Sequence, residues 1–291
     1  MKISGFTIIK NAVLNDYPIV EAITSILPVV DEMIVLIGDS EDETETLIKS
    51  IPSNKIKIFH SVWDRSINKG GKILAVETDK AFALINTESD WAFYIQADEV
   101  LHEKYYAEII KTAQLYKDDK RVDGLVFNYL HFYGTYNYVG DSRKWYNKEV
   151  RIIRNDKTIS AYRDAQGFRS DGQKLNVKPV NAFIYHYGWV KNPKTMQQKI
   201  KNSVSFWQEN KEALPILESK DFFDYTQFDS LQKFTGTHPQ PMLERIAKQN
   251  WNIDLNIKQK KFKLKDFFLY WYEKLTGKRL FTFRNYKTLK N

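Results

Sequence analysis

The sequence contains no cysteine among its 291 residues. Disulfide bonds and thiolate metal sites are therefore excluded, and cysteine usage gives no information about the redox compartment. No apolar run approaches the ~20 residues needed to span a bilayer. The first residues lead into only a brief apolar run, so no signal peptide is visible. These absences predict a soluble or peripheral cytoplasmic protein.

The two common phosphate-binding loops are missing as well. A dinucleotide-binding domain needs Gly-x-Gly-x-x-Gly after its first strand, but Lys10-Asn11-Ala12-Val13 follows the first apolar run here. The segment Lys69-Gly70-Gly71-Lys72 lacks the upstream glycine and the following Ser or Thr of a Walker A loop. A protein of this kind that binds a nucleotide must therefore hold the phosphates in another way.

Positive charge is concentrated at the C-terminus. The net charge is +8, but residues 257–291, here called the basic tail, contain 11 Lys or Arg and 2 Asp or Glu, a net of +9. The preceding 256 residues contain 33 basic and 34 acidic residues. A balanced body argues against nucleic-acid binding, and the tail favours an anionic partner.

The basic tail also contains 9 aromatic residues and an amphipathic helical pattern over residues 264–275. The apolar side of this pattern is formed by Leu264, Phe267, Phe268, Trp271 and Leu275. A basic, aromatic helix suits peripheral contact with an anionic membrane. Such a helix can equally pack its apolar side on the rest of the protein and leave its lysines in water.

Apolar runs and helical patterns alternate four times in about the first 115 residues. This alternation predicts an α/β fold with a mainly parallel sheet flanked by helices. The first four strands are predicted at 3–11, 32–37, 55–60 and from Trp91, and later strands at 125–133, 149–154 and 181–190. We predict one α/β domain over residues 1–210 and an irregular and helical basic extension over 211–291.

The fourth apolar run, Trp91 to Ile95, leads directly into Gln96-Ala97-Asp98-Glu99. Ligands of open α/β sheets bind at the carboxyl ends of such strands. A carboxylate at that position is suited to a divalent cation bound against a nucleoside diphosphate.

Four segments together resemble family 2 glycosyltransferases with the GT-A fold, such as bacterial cell-surface and lipopolysaccharide glycosyltransferases. They are Ile8-Ile9-Lys10-Asn11, residues 38–44 (GDSEDET), Lys69-Gly70-Gly71-Lys72 and the DXD-like Gln96-Ala97-Asp98-Glu99. The resemblance covers residues 3–190. It implies transfer of a sugar from a nucleoside-diphosphate sugar to a saccharide or lipid-linked saccharide.

The resemblance also implies roles for individual residues. Asn11 and Asp39 would surround the base and ribose, although Asp39 also suits the N-cap of the next helix. Asp98 would hold Mn²⁺ or Mg²⁺ against the diphosphate. Gln96 stands where the family has its first acid, and its amide would bond a ribose or sugar hydroxyl. Glu99 would assist the metal or cap the helix that follows.

Three further residues are candidates for the donor side of the site. His186 corresponds to a late histidine that some GT-A enzymes supply to the metal, so we expect it to be a second ligand beside Asp98. Lys72 is placed to approach the nucleotide, although a solvated lysine at a helix start is an equal interpretation. Arg151 suits a diphosphate, since a guanidinium pairs well with phosphate oxygens.

The acceptor side needs a general base if the anomeric centre is inverted, since the attacking hydroxyl must lose its proton. The candidates are Asp141, Asp164 and Asp171, and we favour Asp164 because the base of related enzymes comes from the same interval. Trp145 and Tyr146 suit stacking on sugar rings.

Two other functions remain open. A sugar nucleotidyltransferase shares this type of fold but usually has a glycine-rich basic loop after its first strand, which is missing here. A non-catalytic carbohydrate- or nucleotide-binding protein with a degenerate GT-A domain is favoured by Gln96, which removes one carboxylate from the metal site.

Overall fold

The computed structural model describes residues 1–67, 69–207, 220–258 and 260–290. The strands are β1 (Ile3–Ile9), β2 (Glu32–Ile37), β3 (Ile56–His60), β4 (Trp91–Tyr94), β5 (Glu99–Leu101), β6 (Gly124–Tyr133), β7 (Thr135–Gly140), β8 (Lys148–Arg154), β9 (Ile159–Tyr162), β10 (Gly167–Ser170), β11 (Gln173–Trp189), β12 (Leu231–Lys233) and β13 (Tyr286–Thr288). The α-helices are α1 (Ile19–Ile26), α2 (Thr44–Lys49), α3 (Lys72–Ala83), α4 (Tyr106–Tyr116), α5 (Pro193–Ser203), α6 (Leu243–Ala247) and α7 (Leu264–Thr276). Short 3-10 turns lie at Leu27–Val29, Glu103–Tyr105, Val204–Trp207 and Gln240–Met242.

The central strands follow the order β3-β2-β1-β4-β8-β6-β11. Strands β1 to β4 pair in parallel, β8 runs antiparallel between β4 and β6, and β11 is parallel to β6. One reversed strand in an otherwise parallel set makes the sheet mixed and mainly parallel. The predicted fold class is confirmed.

Helices cover both faces of this sheet. In β2, Met33, Val35 and Ile37 pack into the core cluster that contains buried residues of α1 and α4. Ile34 and Leu36 pack into a second cluster, which contains residues of α3. Successive side chains of a strand point to opposite faces, so burial on both faces explains why this strand is a continuous apolar run.

The glycine pair before α3 shapes a turn. Gly70 and Gly71 have φ of 56° and 69°, in the left-handed region that glycine adopts without strain. The Gly71 N–H donates to the Phe206 carbonyl oxygen at 2.9 Å. The turn therefore fixes the start of α3 to the segment that follows α5.

The C-terminal extension contributes to the same sheet. Strand β12 pairs with β7, and β13 pairs in parallel with β11. The predicted boundary between residues 210 and 211 falls in 208–219, outside the described residues, as does part of the segment predicted to be irregular. Helix α7 confirms the helical pattern of the basic tail. Within the four described ranges, no helix combines the length and the apolar character that crossing a bilayer requires.

Candidate functional site

A cleft of about 670 Å³ opens at the carboxyl ends of β1 and β4. Its volume is in the range of small-molecule sites, and its position is the one where open α/β sheets bind ligands. Four of the predicted site residues line it, namely Asn11, Gln96, Asp98 and Asp164. Residues from α5 and the loops complete the walls, among them Tyr17, Trp63, Lys199 and Phe206.

Asp98 is held between two nitrogen groups. Its Oδ2 lies 3.3 Å from Lys199 Nζ, and its Oδ1 lies 3.6 Å from His186 Nε2. Lys199 Nζ also donates to the Gly188 carbonyl oxygen at 3.0 Å. Burial works to raise the pKa of Asp98, but nearby positive charge, that of Lys199 first, outweighs it and lowers the pKa to about 2. The carboxylate is therefore ionised at any physiological pH.

Gly188 allows this close approach. A Cβ at this position would lie 2.6 Å from Asp98 Oδ2 and 2.8 Å from His186 Nε2. Both distances are well inside van der Waals contact, so any other residue would separate the two side chains. The glycine leaves room where the carboxylate and the imidazole meet.

A second histidine fixes the tautomer of His186. His131 Nε2 lies 2.8 Å from the Tyr146 carbonyl oxygen, which only accepts, so this nitrogen carries a proton. Burial lowers the pKa of His131 to about 3, so the ring is neutral and its Nδ1 is an acceptor. His186 Nδ1 lies 3.2 Å from that nitrogen and donates to it. The lone pair of neutral His186 is then on Nε2, directed towards Asp98.

The pair Asp98 and His186 fits a divalent cation as two ligands. The lone pair of His186 Nε2 and the carboxylate Oδ1 converge, with a buried partner behind the histidine as in many metal sites. No group of three His, Cys, Asp or Glu able to hold a metal ion occurs within the described ranges. A cation at this position would therefore take its other ligands from phosphate oxygens and water, as Mg²⁺ commonly does.

Asp164 lies in a strained loop at the edge of the cleft. Its neighbours Arg163 and Ala165 have φ of 58° and 60°, values that non-glycine residues adopt at a conformational cost. Asp164 Oδ1 is buried and has no hydrogen-bond partner among the described residues. Burial raises the pKa of this carboxyl group. A carboxylate of raised pKa with one oxygen left without a partner is well suited to accept a proton.

Gln96 connects this loop to the end of β4. Its Nε2 donates to the Ala165 carbonyl oxygen at 3.4 Å. A carboxylate at position 96 has no proton to donate at neutral pH and would face that carbonyl oxygen unfavourably. The amide that replaces the first acid of the DXD pattern thus contacts the loop that contains Asp164.

Arg151 and Glu99 lie beneath the cleft and do not line it, which corrects the diphosphate role predicted for Arg151. Both side chains are fully buried and form a bidentate ion pair, with two nitrogen–oxygen distances of 2.8 Å. Arg151 Nη1 also donates to the carbonyl oxygens of Val150 and Gln166. Glu99 accepts from the Tyr129 hydroxyl at 2.7 Å and from the backbone N–H of Gln96. Its carboxylate is therefore occupied and neither assists a metal nor caps the next helix.

The other three residues predicted for the donor side, Asn11, Asp39 and Lys72, differ in whether they line the cleft. Asn11 lines the cleft, but its side-chain oxygen accepts from the Glu41 N–H at 2.8 Å and so holds the loop after β2. Asp39 pairs with Lys10 Nζ at 2.6 Å, and Lys10 rather than Asp39 belongs to the lining. Lys72 is exposed as the first residue of α3, outside the lining.

The N-cap interpretation of Asp39 is wrong. The N-cap residue of α2 is Glu43, and Asp42 accepts from the Thr44 N–H at 3.1 Å just before it. The other two base candidates also have different surroundings. Asp141 bonds the Tyr270 hydroxyl at 2.8 Å, while Asp171 is an exposed turn residue with φ of 48°.

Trp145 and Tyr146 surround the outer histidine instead of lining the cleft. The Trp145 ring stacks on His131 at a centroid distance of 5.2 Å, and the Tyr146 ring meets it edge-on at 4.3 Å. Tyr146 is 38% exposed, so part of its ring is available for a ligand.

The sequence patterns missed Lys199 and His131. Lys199 lies on the same side of α5 as Met196, which is buried, so a lysine on the apolar side of an amphipathic helix was the available signal. No such signal exists for His131, because its contact with His186 depends on the pairing of β6 with β11.

Comparisons with known proteins give similar structures only. No family model matches the sequence, and no curated protein matches it. Residues 1–349 of S. aureus TarS in complex with UDP align with a TM-score of 0.40 and 16% identity, over 70% of this chain and 64% of that one. This chain therefore spans less than two thirds of the length of the TarS fragment.

Two other solved structures are similar to parts of this chain. Glucosyl-3-phosphoglycerate synthase from Mycobacterium tuberculosis, in complex with Mn²⁺, UDP and phosphoglyceric acid, aligns with a TM-score of 0.30 and 18% identity over 45% of this chain and 43% of that one. The 4-diphosphocytidyl-2C-methyl-D-erythritol synthase from Anaerococcus prevotii aligns with a TM-score of 0.41 and 14% identity over 70% and 95%. These partial likenesses assign no substrate, while the strand order and the cleft at the ends of β1 and β4 show a mixed, mainly parallel α/β fold with a ligand-sized cavity at its strand ends.

Proposed function

We propose that this protein is a glycosyltransferase of the hexosyltransferase type. It would move a sugar from a nucleoside-diphosphate sugar to a saccharide or lipid-linked saccharide, with inversion at the anomeric carbon. The observation that carries the proposal is that Asp98, with His186 beside it, and Lys199 meet in one cleft with Asp164, whose Oδ1 has no partner among the described residues.

On the donor side, Lys199 supplies a positive charge at the point where the diphosphate would leave. Asp98 and His186 Nε2 would hold Mn²⁺ or Mg²⁺, which when bound neutralises charge on the diphosphate oxygens. Asn11 and Lys10, with Asp39 behind Lys10, would border the nucleoside, and Lys72 would lie at the outer margin.

On the acceptor side, Asp164 would take the proton from the attacking hydroxyl as the new bond to the anomeric carbon forms and the bond to the diphosphate breaks. Gln96 would keep the Asp164 loop in position through the Ala165 carbonyl oxygen. Trp145 and the exposed part of Tyr146 would contact the acceptor sugar. We place the reaction in bacterial surface polysaccharide or lipopolysaccharide synthesis, at the cytoplasmic side of a membrane.

The first test measures nucleotide binding by thermal shift with UDP, GDP, CDP and dTDP, each with and without Mn²⁺. We expect one nucleoside diphosphate to stabilise the protein in a Mn²⁺-dependent way. Asp98→Ala should remove that dependence and sugar transfer together. Normal turnover by this variant would refute the metal assignment.

The second test separates the proposed base from donor binding. Asp164→Asn should bind the nucleotide as the wild type does but lose most of the rate of sugar transfer. Asp171 lies outside the cleft lining, so Asp171→Asn should keep the wild-type rate of transfer. A near-normal rate for Asp164→Asn would mean that the base is another residue. Failure to release nucleotide from any donor would instead favour a non-catalytic binding protein.

A further inference from the structure

Helix α7 is attached to the protein by its polar side. The Tyr270 hydroxyl donates to Asp141 Oδ2 at 2.8 Å, and Arg143 Nη1 donates to Glu273 Oε2 at 2.7 Å. Lys274 Nζ lies 3.7 Å from the same Asp141 carboxylate. The side of a surface helix that faces the protein is normally its apolar side, so the orientation of α7 is inverted.

The apolar side of α7 consequently faces away from the protein. Large side chains on this side have exposures far above the usual range for their type. We call this surface the aromatic face, and it comprises Leu264 (75% exposed), Phe268 (64%), Trp271 (48%) and Leu275 (83%). Contiguous exposed apolar surface of this kind marks an interaction site.

The segment that presents the aromatic face is held firmly at both ends. Before α7, Lys260 Nζ donates to Ser230 Oγ at 2.6 Å and to the Leu231 carbonyl oxygen at 3.0 Å. After α7, β13 joins the central sheet beside β11. The aromatic face is therefore fixed in its outward orientation by contacts on both sides.

Positive charge surrounds the aromatic face. Exposed basic side chains occur before, within and after α7, and the basic tail carries a net charge of +9. The helix has only two acidic residues, and one of them, Glu273, pairs with Arg143. Basic residues bordering exposed Trp, Phe and Leu are the features of helices that lie in the headgroup region of anionic membranes.

We propose that the aromatic face docks on an anionic lipid surface. Charge decides between this occupant and a second copy of the chain. Two copies joined through the same face would bring two surfaces of like charge together, whereas phospholipid headgroups of opposite charge complement it. The apolar side chains enter the interface while the lysines contact the headgroups.

The docked surface is connected to the proposed acceptor residues. Arg279 Nη2 donates to the carbonyl oxygens of Trp145 at 2.7 Å and Arg143 at 2.9 Å. If the proposed function holds, on which this step alone rests, docking places Trp145 and Tyr146 near the lipid surface. The acceptor is then one that the membrane presents, a lipid-linked saccharide.

The test uses the full chain and vesicles of phosphatidylcholine with or without about one third phosphatidylglycerol. We expect sedimentation with the anionic vesicles at low salt and its loss at high salt, because surface attraction is screened. The double variant Phe268→Ser/Trp271→Ser should reduce binding at least about tenfold, since two apolar side chains leave the interface. Leu115→Ser, which removes a 67% exposed leucine on α4, is the matched control and should bind normally.

Depth is measured with a fluorescent label on a single introduced cysteine, which is unique because the chain has none. Nitroxide lipids should quench a label at Leu275→Cys and spare one at Leu115→Cys. Equal quenching, no vesicle binding, or binding unchanged in the double variant would each overturn the proposal, as would a dimer that only the double variant dissociates. Because the double variant changes no cleft residue, its nucleotide-induced thermal shift should equal that of the wild type. If nucleotides produce no thermal shift in the wild type, the proposed function is refuted, and the lipid proposal is unaffected.

Discussion

Replacing Arg151 by methionine tests whether this residue is a phosphate ligand or a structural partner of Glu99. The guanidinium is fully buried, and its Nε and Nη2 atoms each lie 2.8 Å from an oxygen of the Glu99 carboxylate. Methionine fills part of the volume but leaves the Glu99 carboxylate buried with only the Tyr129 hydroxyl and one backbone N–H as partners. We therefore expect loss of stability with nucleotide affinity retained.

The size of the loss follows from the buried charge that remains. Removing one partner of a buried ion pair costs about 3–5 kcal/mol. Methionine replaces neither of the two hydrogen bonds that Arg151 donates to Glu99. The destabilisation should therefore be about 3–5 kcal/mol.

The assay is urea unfolding, combined with nucleotide titration of the folded variant. The control is Arg121→Met, which removes an equally bidentate but exposed pair with Asp119 and should leave stability unchanged within error. The double variant Glu99→Gln/Arg151→Met should recover most of the lost stability, since no charge is then buried. Unchanged unfolding with weakened nucleotide binding would refute the structural assignment and restore Arg151 as a phosphate ligand.

Three further predictions concern the cleft and its surroundings. Lys199→Met should weaken binding of the nucleoside diphosphate about tenfold in the absence of metal, because a charge-assisted contact is lost; equal affinity in a fluorescence titration would exclude contact between this lysine and the diphosphate. Gln96→Glu should lower kcat about tenfold with little change in donor KM, because the Asp164 loop loses its donor; a kcat equal to or above that of the wild type would mean that a second acid helps the site. Glu149 is buried and its pKa is raised to about 8, so its contribution to stability is complete below about pH 4.5 and is lost as pH rises towards 8. Glu149→Gln should therefore remove part of the fall in Tm between pH 5 and pH 8, and parallel Tm curves would contradict the raised pKa.

Periodic patterns predicted the central strands of the sheet, but not the shorter strands β5, β7, β9, β10, β12 and β13. The limits of β2 match the predicted strand 32–37, and α7 lies where apolar spacing placed it. These elements are encoded locally, because each strand buried on both faces must be a continuous apolar run and each covering helix must repeat its apolar residues every three or four positions. The prediction of 181–190 was shorter than β11, since the first part of this strand alternates and pairs with β10 and β13.

Local patterns were less informative about side-chain orientation. The sequence contains the same arginine whether it reaches the cleft or lies beneath it, and only the pairing of β4 with β8 places Arg151 beside Glu99. The apolar side of α7 was likewise visible in the sequence, but its direction depends on Asp141 and Arg143 from a distant part of the chain.

By itself, the sequence determined the fold class, the strand end with Asp98, and the separation of a neutral body from a basic tail. Each of these features depends on neighbouring residues or on composition, and both can be read directly from the sequence. Tertiary structure decided which groups meet Asp98: Lys199 from α5, His186 from β11, and behind it His131 from β6. Those contacts join residues 55 to 101 positions apart, and no local pattern specifies such pairings.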